Sequence, residues 1–105
     1  MTRTSKRPSY KLEDVKKLIR DNNIFINSNA QEDAWDDFNW KLDDIRKCLL
    51  KLKIGHFYKT EPHKNNAELM IDIYKAKNIM KDINIYVHFY IIPGGNLIIN
   101  SFKEL

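Results

Sequence analysis

Two kinds of side chain alternate between Ile83 and Ile92. Ile83, Ile85, Val87, Phe89 and Ile91 are apolar, and the positions between them include Tyr86, His88 and Tyr90. Strand side chains point to opposite faces with a period of two, so this spacing predicts one core face and one face of titratable groups. Lysines recur in the same half of the chain: from residue 51 onward there are eight, against five acids. A Lys, Tyr and His face suits metal-free cleavage of RNA. In that reaction the ribose 2′-OH attacks the adjacent phosphate. The protein must take one proton, give one to the leaving 5′-oxygen and stabilise the added negative charge. His, or a tuned Tyr or Lys, moves protons, and lysines hold charge. The same set also suits a face that only binds nucleic acid, or a plain solvated one.

Other chemistries lack their residues. The chain has no phosphate-binding glycine loop, nucleophile elbow, His-x-x-x-His motif or clustered carboxylates. His56, His63 and His88 have no metal-ligand spacing, so neither a metal nor a cofactor is expected. Cys48 is alone, which rules out an internal disulfide and a cysteine-based metal cluster. It is expected to pack as a small apolar residue in a reducing, cytoplasmic setting.

The elements that must position this face can be read in order. Residues 1–8 are basic and without pattern, a loose start to a single domain over 1–105. Ser9 is placed to cap a helix from Tyr10 to Asp21, whose buried stripe is Leu12, Val15, Leu18 and Ile19; Asn22-Asn23 stops it. Ile24-Phe25-Ile26 reads as a strand. A second helix is expected near Ala30 to Phe38, with Trp35 and Trp40 assigned to the core. A third runs near Trp40 to Lys53, with stripe Leu42, Ile45, Leu49 and Leu52, cap Asn39 and terminator Gly55. Strands follow at His56–Glu61 and Met70–Lys75, with a polar loop at 62–66 and a turn near Lys77 to Asp82. Pro93-Gly94-Gly95-Asn96 turns the last strand back through Leu97-Ile98-Ile99 to Ser101, Phe102 and Lys103. Helices first and strands last predict an α+β fold, an antiparallel sheet with helices on one face.

Composition bounds the rest. The 105 residues are 43% hydrophobic, enough for a core, with no apolar run long enough to span a bilayer and no apolar signal-peptide core. The net charge of +4 hides an acidic stretch: residues 30–45 hold six acids and one base, Lys41. Such a chain suits a polyanion on one side and a basic partner on another, though a solvated surface has the same charges.

A family resemblance adds to this reading. Arg7-Pro8-Ser9-Tyr10 followed by Leu12, Val15, Lys16, Lys17, Leu18 and Ile19 resembles the N-terminal signature of the MqsR toxins, within the RelE-like toxin group. Phe57-Tyr58-Lys59-Thr60 is similar to that family's Phe-Tyr-Lys-Ser, and Asp72-Ile73-Tyr74-Lys75 to its Asp-Val-Tyr-Arg. Tyr86 sits at its strand tyrosine, and Ser101-Phe102-Lys103-Glu104 matches its C-terminal segment. The resemblance implies a RelE-like fold and a sequence-selective mRNA endoribonuclease, independent of ribosome and metal. It also implies a type II toxin–antitoxin pair, in which a zinc-binding, DNA-binding antitoxin holds the enzyme inactive and gives it its only link to DNA. Lys59, Tyr86 and Lys103 then carry over as catalytic, with Tyr58, Lys75 and Ser101 as substrate contacts. Three positions depart from the pattern. Ile71 replaces a glutamine, and Lys75 replaces an arginine, keeping charge but losing the bidentate fork. His88 replaces a lysine and offers a proton-transfer group titrating near neutrality. The alternative is a toxin-like protein that binds RNA or an antitoxin without cutting, with Ile71 marking the lost activity.

Overall fold

The computed structural model describes residues 7–105, so most of the expected loose start lies outside the described residues. Helix α1 spans Leu12–Arg20, β1 Ile24–Ile26, α2 Ser28–Phe38 and α3 Leu42–Leu49. A 3-10 turn at Ile54–His56 leads into β2 Phe57–His63, β3 Asn66–Met80, β4 Ile83–Ile91 and β5 Leu97–Glu104. The sheet order is β1-β5-β4-β3-β2, antiparallel except where β1 runs parallel to β5. This is the α+β arrangement expected, with the helices preceding all strands but β1. No helix among the described residues is long and apolar enough to cross a membrane.

The helices cover one face of the sheet. Val15, Ile19, Ala30, Ala34, Ile45, Cys48, Leu49 and Leu52 pack there against Ile85, Val87, Phe89, Leu97, Ile99 and Phe102. The β4 alternation is therefore realised, with Ile85, Val87 and Phe89 fully buried. Burial pushes the Cys48 thiol up to about 12, so it behaves as an apolar filler. Phe38, Trp40 and Phe102 form an aromatic cluster, with ring centroids 4.7 to 6.2 Å apart. The Glu104 amide donates to Asp37 Oδ2 at 2.9 Å, tying the end of β5 to α2.

Two breaks in strand alternation, one on β5 and one on β2, decide which way the lysines point. On β5, His88 pairs with Ser101 but Phe89 pairs with Ile99, so Asn100 is an extra residue. On β2, Phe57 pairs with Tyr74 and Lys59 with Ile73, which makes Tyr58 extra. Strict alternation would put Lys103 on the core face of Leu97 and Ile99, and Lys59 on that of Phe57. The bulges turn Phe102 inward and both lysines outward. Burying a phenylalanine stabilises by about 1.5–3 kcal/mol. A bulge forfeits roughly one ladder hydrogen bond, about 1 kcal/mol net, so burial wins at Phe102.

Several local expectations are corrected. Ser9 does not cap α1, which begins after Lys11 without a side-chain cap. Instead the Ser9 and Tyr10 amides donate to Asp72 Oδ1 and Oδ2 (2.9 and 3.0 Å), and the Tyr10 hydroxyl donates to the Met70 carbonyl (2.6 Å). A buried carboxylate recruits donors more strongly than a solvated helix end. Asn39, in the left-handed region at φ 60°, closes α2 rather than opening α3. Helix α3 stops at Leu49, well short of Gly55. There the Lys51 and Leu52 amides bond three residues back, a tightening that still drops Leu52 into the core. The polar loop at 62–66 is a tight turn at Lys64-Asn65, since pairing continues to His63 and Asn66. Strand β3 runs on past Lys77 to Met80 around Asn78, whose amide donates to Asn84 Oδ1 (2.7 Å). Trp35 is not core: it is 50% exposed.

Asp72 explains the N-terminal signature as a clamp. It is fully buried, and the Thr60 and Ser9 hydroxyls bond to it as well. Asp72→Ala should cost roughly 2–3 kcal/mol in urea unfolding, because it removes two part-buried amide-to-carboxylate hydrogen bonds. Burial raises the carboxyl above its ordinary value, and the hydrogen bonds only partly offset this. A raised folded pKa favours the folded state below the unfolded carboxylate value, and that contribution is lost as pH rises through the folded one. The stability gap between wild type and Asp72→Ala should therefore narrow as pH rises; a gap that widens would contradict the clamp's electrostatics.

Candidate functional site

The face of the sheet away from the helices carries the titratable residues. Strand register sets their order: Lys75 on β3, Tyr86 on β4 and Lys103 on β5 are paired neighbours. The adjacent row runs Lys59 on β2, Ile73 on β3, His88 on β4 and Ser101 on β5. Lys59, Tyr86, His88, Lys75 and Lys103, predicted from separate stretches of sequence, thus share one surface. The bulged Tyr58 joins them with its ring beneath Lys75 Nζ (3.8 Å) and Lys59 Nζ (5.5 Å). Lys103 Nζ lies 5.4 Å from the Tyr86 ring centre, and the Tyr86 and His88 rings meet edge to face at 5.6 Å.

A groove of about 430 Å³ opens beside these groups, lined by Glu61, His63, Ile71, Ile73, Tyr86, His88 and Asn100 among others. Its floor is apolar: Ile73 and Ile71 are 3% and 8% exposed beneath the polar groups. Ile71, standing where the resemblance implied an RNA-contacting glutamine, is part of this floor. Ser101 pairs with His88 but is buried and does not line the groove. Tyr74 is fully buried on the opposite face. His63, expected in the polar loop at 62–66, instead ends β2 and sets its ring edge to face with Tyr90 at 5.5 Å.

The proton affinities on this face diverge. Burial pushes the His88 imidazole below its ordinary value; Lys103 and His63 push the same way and Glu61 opposes them. Burial raises the Tyr86 phenol, with Glu61 adding to the rise and Lys59 opposing it. The Lys59 ammonium is held above its usual value by a hydrogen bond and charge attraction from Glu61. At neutral pH the face therefore presents a neutral imidazole, a protonated phenol and cationic lysines. Two titratable neighbours driven apart in this way suit opposite proton-transfer roles.

Sequence reasoning passed over two residues here. Glu61 lies two residues beyond Lys59 on the same strand face, a period-two signal already present in the sequence. Asn100 had no such signal, because the bulge decides where it points. Its Oδ1 accepts from Asn27 Nδ2 (3.0 Å), which turns its amide nitrogen toward His88 Nδ1 at 3.5 Å.

A second groove lies elsewhere, about 1130 Å³ between α2 and α3, lined by acids, Trp35, Trp40, Leu42 and two lysines. It offers no imidazole or phenol for proton transfer, so the chemistry points to the smaller groove. Among the described residues no three His, Cys, Asp or Glu are grouped as metal ligands would be.

Among known proteins, the family model described as "Motility quorum-sensing regulator, toxin of MqsA" matches residues 7–104. No curated protein matches the chain.

Proposed function

The chain belongs to this toxin family, the toxin half of a toxin–antitoxin pair, and we propose that it acts as a metal- and ribosome-independent mRNA endoribonuclease. The observation that carries this reading is the strand register that gathers Lys59, Tyr86, His88 and Lys103 on one open face. In the proposed reaction neutral His88 takes the 2′-OH proton as the ribose oxygen bonds to phosphorus. The P–O5′ bond breaks, and Tyr86 gives its phenolic proton to the departing oxygen. Lys59 and Lys103 stabilise the charge on the pentacoordinate phosphate. The products are a 2′,3′-cyclic phosphate and a 5′-OH. Tyr58 and Lys75 lie beside this centre, where an aromatic ring and an ammonium suit a base and a backbone phosphate.

The family description names MqsA as the counterpart of its toxins. By extension, the partner proposed for this chain is a cognate antitoxin that neutralises it by tight association. Induced expression should arrest growth and leave discrete cuts in cellular mRNA, and co-expressed antitoxin should relieve the arrest. Purified protein should cut the same RNA in excess EDTA. Activity lost in EDTA and restored by Mg²⁺ would overturn the 2′-OH route. Arrest without discrete cuts would favour a toxin that binds without cleaving.

A further inference from the structure

An acid beside the lysines of a face proposed for a polyanion needs an explanation. Glu61 Oε2 lies 3.2 Å from Lys59 Nζ, and the two side chains are 39% and 35% exposed. Both stand over the apolar floor, since Lys59 pairs with Ile73 and Glu61 with Ile71. An ion pair this exposed is worth at most a few-fold in an equilibrium, so stability does not account for it. It does restrain a long, flexible ammonium stem that the floor itself offers no partner.

We propose that Glu61 is a stand-in for substrate phosphate: it holds Lys59 in place in the free protein and yields it to a backbone phosphate when single-stranded RNA binds. This rests on the reading of this face as an RNA site. The exchange is feasible because the pair is weak and an arriving chain gains from Lys75 and Lys103 as well. A lone phosphate lacks those further contacts, so the exchange favours a polymer over a free nucleotide or inorganic phosphate. In the bound state the freed carboxylate remains near His88. The charged and titratable groups around that ring are Glu61 and His63 from β2, Tyr86 on its own strand and Lys103 from β5; β3 places Ile73 opposite it, with Lys75 beyond, opposite Tyr86.

Glu61→Gln in the full chain separates this role from others. The probe is a single-stranded oligonucleotide with every ribose 2′-O-methylated, which lacks the nucleophile and stays intact. The variant should bind it roughly 3- to 10-fold more tightly at about 0.1 M salt, since no carboxylate competes for Lys59. Its plot of log affinity against log salt should steepen by up to about 0.7, because the carboxylate that RNA frees in wild type takes back a counterion and the variant has no such carboxylate. With Lys59 also changed to Gln, both gains over wild type should vanish. On cleavable RNA, the acid limb of the pH–rate profile should move lower, because a negative neighbour of His88 is gone. Unchanged affinity and slope would overturn the proposal. So would a 100-fold or greater rate loss at unchanged affinity, which would make Glu61 the proton acceptor itself. Wild type that binds RNA without cutting would sink the ribonuclease reading alone, leaving the two binding measurements to decide Glu61. Wild type that binds no RNA would sink both.

Discussion

His88→Ala should slow RNA cleavage by about 100- to 10,000-fold, the range for losing a positioned proton-transfer group. The protein should still bind uncleavable RNA, because the lysines remain. The direction of the pH effect follows from the environment. Burial, reinforced by Lys103 and His63, holds the imidazole below its ordinary value against the pull of Glu61. A base acts only when unprotonated, so wild-type rate should fall as pH drops through a value below about 6.5. His88→Ala should erase that limb. Stability gives a second readout with its own sign. A depressed folded pKa means the unfolded imidazole takes up a proton first, so wild type loses stability as pH falls below about 6.5. The variant lacks that particular loss. His88→Lys, which restores the lysine of the family pattern, should keep RNA binding and displace the profile. A His88→Ala protein with full activity and an unchanged profile would make His88 a structural residue, leaving Tyr86 and the lysines to move the protons.

Lys59→Ala and Lys103→Ala should each lower the catalytic step by about 100- to 1000-fold, the usual loss when one preorganised charge contact to the transition state is removed. Charge on the phosphate grows only as the 2′-oxygen attacks, so kcat should fall much further than KM rises. Lys103 is exposed, so its loss tests chemistry without disturbing the core. Lys59→Ala also frees Glu61, and part of its effect is repulsion of RNA by an unpaired carboxylate. Lys59→Ala combined with Glu61→Gln should therefore recover part of the binding loss but little of the rate loss. If either lysine variant raised KM and left kcat untouched, that lysine would bind RNA without contributing to the reaction.

Hydrophobic periodicity was enough to place the helices, the terminal hairpin and the layer arrangement, because burial of an amphipathic face is encoded residue by residue. The β4 alternation already separated Ile85, Val87 and Phe89 from Tyr86 and His88, and the structure keeps that division. Positive φ at Gly94 and Gly95 was likewise legible, since glycine accepts that region without strain. Element ends were less so. The Ser9 hydroxyl and the Asn39 side chain suit helix caps, but a buried carboxylate and a left-handed closing position claimed those two residues. Such competition involves partners distant in sequence: Asp72 is 63 residues from Ser9.

Residue types and the family resemblance singled out Lys59, Tyr86, His88 and Lys103, but their convergence was settled by pairing across strands. Counting by twos sends Lys59 and Lys103 into the core. The bulges at Tyr58 and Asn100 reverse both, and neither bulge has a local signature; at Asn100 the pairing slips so that Phe102 can join Phe38 and Trp40. The sequence by itself determined which side chains are available for chemistry and which strand faces water. Only the tertiary structure decided which of them meet, because strand register is fixed by how the apolar residues of all layers fill one shared core.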